Sequence, residues 1–249
     1  MTAQRLVQPF QHLHQAPDNW SLERYGRHAW RVALVIWVVM VVACLVLALV
    51  RGDPDKAFGE FQPFTIYTVA GLAICSFVCG QCSRLTVGGA RRLWLLMAVG
   101  FAFLAADDLF KIHENIDHLI NTALGIDPEH SIADHCDDAI ILVYAIIGLA
   151  VVYRQRHHVL QLRGFARGIG WGMGYFALMV VLDALGSHLP RIPKGIAKIT
   201  EECVKSLAIS LLFWAFVVAR FQLRRQAKGL AVDVHRAGAG LIDSGARHE

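Results

Sequence analysis

Leu93-Trp94-Leu95-Leu96-Met97-Ala98-Val99-Gly100-Phe101-Ala102-Phe103-Leu104-Ala105-Ala106 is an unbroken apolar run, and Asp107-Asp108-Leu109-Phe110-Lys111-Ile112-His113-Glu114 follows directly. The first half needs hydrocarbon around it. The second half places ionisable groups at the edge of that hydrocarbon, where each must earn its place by pairing or chemistry. The charged stretch continues through Asp117 and His118 and closes with Asp134-His135-Cys136-Asp137-Asp138.

The rest of the chain repeats the pattern. Of 249 residues, 55% are hydrophobic, and long apolar runs alternate with charged connectors, the mark of a polytopic membrane protein. Six spans are predicted, at 32–50, 64–82, 93–110, 139–153, 169–186 and 206–220. The last four fall short of the roughly 20 residues a bilayer demands unless their polar flanks also enter it. The first run is too long for a signal-peptide core and reads as a retained helix. The fold expectation is therefore an all-α bundle of about six transmembrane helices over 32–220. Residues 1–31 form a tail and interfacial segment, and 221–249 a basic, then disordered, tail.

Charge orients it. With the N-terminus inside, Arg24, Arg27, Arg31, Arg84, Arg91, Arg92, Arg154, Arg156, Arg163, Arg167, Arg220, Arg224 and Arg225 are all cytoplasmic, and most Asp and Glu lie outside. The positive-inside rule then puts both termini in the cytoplasm of a bacterial inner membrane. The net charge of +4 conceals this polarity. Anionic lipid, not nucleic acid, accounts for the basic face.

The late spans share a depth. About 14 apolar residues precede Asp107 and Asp183, and about as many follow Asp138 and Lys205. At 1.5 Å per residue that covers about 21 Å of a roughly 30 Å core. The polar breaks thus fall at one level beneath the outer boundary, which predicts an acidic, histidine-containing pocket open to the outside.

Projected at 100° per residue, Asp107, Lys111, Glu114 and His118 form one stripe, with Asp108 beside it and His113 and Asp117 as a second flank. Glu201, Glu202 and Lys205 face them from the last span, where Glu202, Ser206 and Ser210 share a face, and Asp183, Ser187 and His188 come from the fifth. Carboxylates with imidazoles suit zinc, iron or manganese. The candidate ligands are Asp108, His113, His118, Asp138, Asp183, His188 and Glu201, with Asp107, Glu114 and Glu202 as catalytic carboxylates. The competing reading is an ion-pair network, Asp107 or Asp108 with Lys111 and Glu201 with Lys205. Carboxylates outnumber Lys and Arg here, so a cation or shared protons must balance the remainder.

Two smaller patterns have bland readings. Cys75, Cys79 and Cys82 share a helical face, and Gly168/Gly172 and Gly170/Gly174 are small-xxx-small pairs; both suit helix packing. Cys136 and Cys203, both on the outer side, either form a disulfide, ligate metal as thiolates, or stay free.

The Asp-Asp-Leu-Phe-x-x-His-Glu block at 107–114, with Glu201, Glu202 and Lys205 as a later Glu-Glu-x-x-Lys, resembles a group of bacterial polytopic membrane proteins with no assigned function. A fainter similarity is to the alkaline ceramidase and progestin/adiponectin receptor superfamily of membrane zinc amidases, which implies a metal hydrolase. The last span has no histidine where that superfamily has His-x-x-x-His. The functional expectation is a metal-dependent membrane hydrolase of a lipid or lipid-linked substrate, surrounded by membrane lipids and compatible with homo-oligomers. The alternatives are an ion- or proton-coupled transporter and a ligand-sensing subunit.

Overall fold

The structure, a computed structural model, describes residues 19–52, 58, 62–125, 136–162, 164–188 and 194–245. Among these residues it has eight helices and no strand. They are α1 (Asn19–Arg51), α2 (Pro63–Arg84), α3 (Gly88–Phe110), α4 (Ile112–Leu124), α5 (Cys136–Arg154), α6 (Arg156–Leu160), α7 (Phe165–His188) and α8 (Lys194–Gly245). Five stretches are long and apolar enough to cross a membrane: Gly26–Arg51, Pro63–Arg84, Gly88–Phe110, Phe165–Leu182 and Ile199–Gly229. The predicted fourth span corresponds to the shorter apolar Leu142–Arg154 in α5. The all-α polytopic bundle expected from the hydropathy is the architecture found.

α8 is the hub. It packs against α1, α2 and α7, and 61% of its apolar window is buried, against 17% for α1. The almost purely aliphatic stretch 32–50 of α1 therefore leaves most of its surface outside the bundle, toward lipid. α8 continues as helix to Gly245, through a stretch whose composition reads as an irregular tail.

The main core joins Cys75, Val78, Cys79 and Cys82 of α2 to Trp94 and Met97 of α3, Phe165 and Ile169 of α7, and Leu212, Ala215 and Phe216 of α8. The three cysteines are buried free thiols packed in this core. Of the two glycine pairs, only Gly168/Gly172 serves close approach. A Cβ at Gly168 would stand 2.5 Å from the Ala215 Cβ, and one at Gly172 would stand 2.5 Å from a Leu212 methyl. Gly170 and Gly174 face open space, so the expectation that both pairs pack is corrected. Cys203 is a free thiol packed near Cys44, Phe58 and Phe64, not one half of a disulfide.

One local feature sets the site. α3 stops at Phe110 because Lys111 adopts the left-handed conformation (φ 53°, ψ 47°), the one non-glycine with positive φ among the described residues. Such a residue costs roughly 1–3 kcal/mol. Asp107 offsets that cost. Its Oδ1 accepts the His113 backbone N–H at 2.9 Å, so a carboxylate from α3 caps the first turn of α4. Gly125, also left-handed, ends α4.

Candidate functional site

Polar side chains from five helices, α1, α2, α3, α4 and α8, converge at the Asp107 end of the bundle. Lys205 of α8 lies 3.1 Å from Asp108 Oδ1 and 3.0 Å from Glu202 Oε1. The Thr68 hydroxyl of α2 has Asp108 Oδ2 at 2.9 Å and the Thr65 carbonyl at 2.8 Å, and one proton to give. Asp108 is thus held by α2 and α8 at once. Glu202 is 8% exposed, and its second oxygen has no hydrogen-bond partner among the described residues. Two carboxylates therefore share one ammonium.

Below them a hydroxyl row runs into the bundle. Trp37 Nε1 donates to Ser206 Oγ at 2.8 Å, tying α1 to α8. Ser210 Oγ donates to the Ser206 carbonyl, which leaves the Tyr67 hydroxyl to donate to Ser210 Oγ at 2.9 Å. Glu202, Ser206 and Ser210 are all buried, on the shared face that their spacing implied.

Beside this network Asp107, 5% exposed, uses both oxygens on one residue. Oδ1 takes the His113 backbone N–H, and Oδ2 lies 2.9 Å from His113 Nδ1. With Nδ1–H directed at the carboxylate, the lone pair of a neutral imidazole sits on Nε2. Tyr144 of α5 is within electrostatic range of Asp107, and its ring meets Phe103 edge-on at 5.0 Å. Along α4 the inward row continues with Asp117, whose Oδ2 accepts from Asn121 Nδ2 at 3.1 Å.

The expected stripe does not survive, because the break at Lys111 rotates everything after it. His113 meets Asp107, whereas His118 points outward and is exposed. The expected Glu201–Lys205 pair is replaced by Glu202–Lys205, and it is Asp108 that Lys205 reaches across to α3. Glu201 is half-buried. The side chains of Glu114, Asp138, Asp183 and His188 lie outside the described residues. Among those that are described, no group of three or more His, Cys, Asp or Glu is close enough to hold a metal.

Thr68, Tyr67, Trp37, Tyr144 and Asn121 are the participants that sequence reasoning passed over. Each is an uncharged residue in a mostly apolar or amphipathic helix, which looks like core. Thr68 alone carried a faint signal: it lies seven residues before Cys75, on the buried face of α2.

Helices of membrane-spanning length, tied together at one end by buried charge, define this as a polytopic membrane protein. Residues 58–221 match DUF8692, a domain of unknown function, and the chain belongs to that family. The matched region begins after α1 and contains every residue of the polar network except Trp37. No curated protein matches the chain, and no solved structure does.

Proposed function

We propose that the protein is a membrane-embedded, metal-dependent hydrolase of a lipid or lipid-linked substrate, with its site on the extracytoplasmic side. The observation that supports this is the double grip of Asp107 on His113. A carboxylate on one ring nitrogen is how proteins orient a metal-ligating histidine and raise its basicity. His113 is then one ligand of a zinc, iron or manganese ion. Further ligands would come from Glu114, Asp138, Asp183 and His188, of which Asp138 and Asp183 fall at the depth of Asp107 by apolar-run length. Bound there, such an ion would supply an activated water. Glu202, with one oxygen anchored on Lys205, serves as general base.

Elemental analysis of protein purified without chelator tests this, with wild type beside His113→Ala and Asp107→Asn. The expected result is a near-stoichiometric transition metal that His113→Ala removes and Asp107→Asn weakens by roughly 10–100-fold in affinity. A metal-free wild type overturns the proposal.

A second reading has its own observation. Two carboxylates on one ammonium leave a surplus negative charge that a proton or cation balances, and the Ser206–Ser210–Tyr67 row carries polarity further inward. That is the composition of an ion-coupled transporter. Turnover in detergent belongs to the hydrolase, whereas uptake only in sealed vesicles belongs to the transporter.

A further inference from the structure

The bundle-facing row of α5 consists of Tyr144, Gly148, Val151 and Val152, all half-buried. Val151 and Val152 pack on the main core, and Tyr144 meets Phe103 of α3. Gly148, between them, touches nothing: a Cβ built there finds no heavy atom of the described residues within 4 Å. The same holds for Gly100 of α3. α3 and α5 run antiparallel, so the glycine three residues before Phe103 and the one four residues after Tyr144 fall at the same level, on the faces that the ring contact turns toward each other. Both glycines therefore leave open space between α3 and α5, beside the Phe103–Tyr144 contact and on the side of Val151 and Val152. Tyr144 to Val151 is about 10 Å of helix.

This space leads somewhere. Leu96, Val99, Gly100 and Phe103 form one exposed apolar row on α3, and the next residue of that row is the buried Asp107. A lipid-facing surface therefore runs unbroken up to the Asp107–His113 pair. Whatever occupies such a space within a membrane is narrow and apolar. A polymethylene chain, about 4 Å across at van der Waals contact, is the slenderest apolar occupant a bilayer offers, far narrower than a helix that needs an interaxial distance of about 8–10 Å.

We propose that the cleft between α3 and α5 seats a hydrocarbon chain of a membrane lipid whose polar head reaches the Asp107–His113 pair, making an amphiphilic lipid the substrate class of the site. Phe103 and Tyr144 mark the boundary between chain and head, the Tyr144 hydroxyl lying at the polar end. This rests on reading the Asp107 end as a substrate site, but its test does not depend on turnover.

The probe is phosphatidylethanolamine carrying a diazirine midway along one acyl chain, in nanodiscs, with adducts mapped by peptide mass spectrometry. Val39 and Val42 on the lipid-facing side of α1 report ordinary annular lipid. The expected result is an excess of adducts at 99–103 and 144–148 over α1, with that excess lost in Gly148→Leu while α1 labelling persists. Gly100→Leu, on the exposed side of the cleft, is the second variant should Gly148→Leu fail to purify as a monodisperse species. Equal labelling of α1 and the cleft, or an excess that neither leucine removes, overturns the inference. A metal-free protein that still labels in the cleft overturns the hydrolase alone; a metal-loaded protein with only annular labelling overturns the cleft alone.

Discussion

At the scale of single residues, the left-handed backbone of Lys111 turns the chain so that Asp107 meets both the backbone N–H and the ring of His113. Lys205 illustrates the energetics. Removing it leaves Asp108 and Glu202 together without their ammonium, so Lys205→Met is expected to cost about 3 kcal/mol, and adding Asp108→Asn and Glu202→Gln to restore most of it. Reversible unfolding in mixed micelles measures both; an undiminished Lys205→Met would mean that the carboxylates are neutralised by something else. His158, in the connector after α5, gives a pH signature. Burial, and then the neighbouring His157, lower its pKa below the ordinary value. The folded state thus favours the neutral ring, and the unfolded chain binds more protons as pH falls through about 6.5. Stability is expected to decline on acidification through that range, by less in His158→Gln. Parallel melting curves at pH 8 and pH 5 would show whether the two proteins diverge.

At the scale of elements, apolar run length located the spans, and the third span ends at Phe110 as read from the sequence. The hydropathy did not announce α4, because a short amphipathic helix that starts on a side-chain cap from the preceding helix has no apolar run of its own. The glycines of α7 separate by environment, not by spacing. Gly168→Ala drives a Cβ against the rigid Ala215 Cβ and the Trp214 ring, and is expected to cost about 1–3 kcal/mol. Gly174→Ala meets nothing and is expected to gain about 0.5–1 kcal/mol from helix propensity. Thermal denaturation of the two variants side by side checks the contrast, and equal effects would contradict the packing of α7 on α8.

At the scale of the whole molecule, the asymmetry of charge predicts which end faces which compartment. A cysteine introduced at Thr122, exposed on α4, is expected to react with a membrane-impermeant maleimide in intact cells. One introduced at Arg91, exposed on α3, is expected to react only after permeabilisation; the reverse pattern would invert the topology and move the site to the cytoplasm. The overall architecture was readable because the bilayer sorts residues by polarity over tens of ångströms, a coarse rule that composition alone expresses. The polar network depends on hydroxyls and one backbone turn, which no such rule encodes.

The hub helix has a consequence for how the molecule comes into being. α8 is translated after every helix it holds together, so α1, α2 and α7 are inserted before their common partner exists. Until it arrives, Asp108 lacks the Lys205 ammonium, and Gly168 and Gly172 of α7 lack the Ala215 and Leu212 that they pack against. The nascent bundle is thus an open assembly that a single late segment converts into a closed one, and Lys205 delivers the countercharge in the same step.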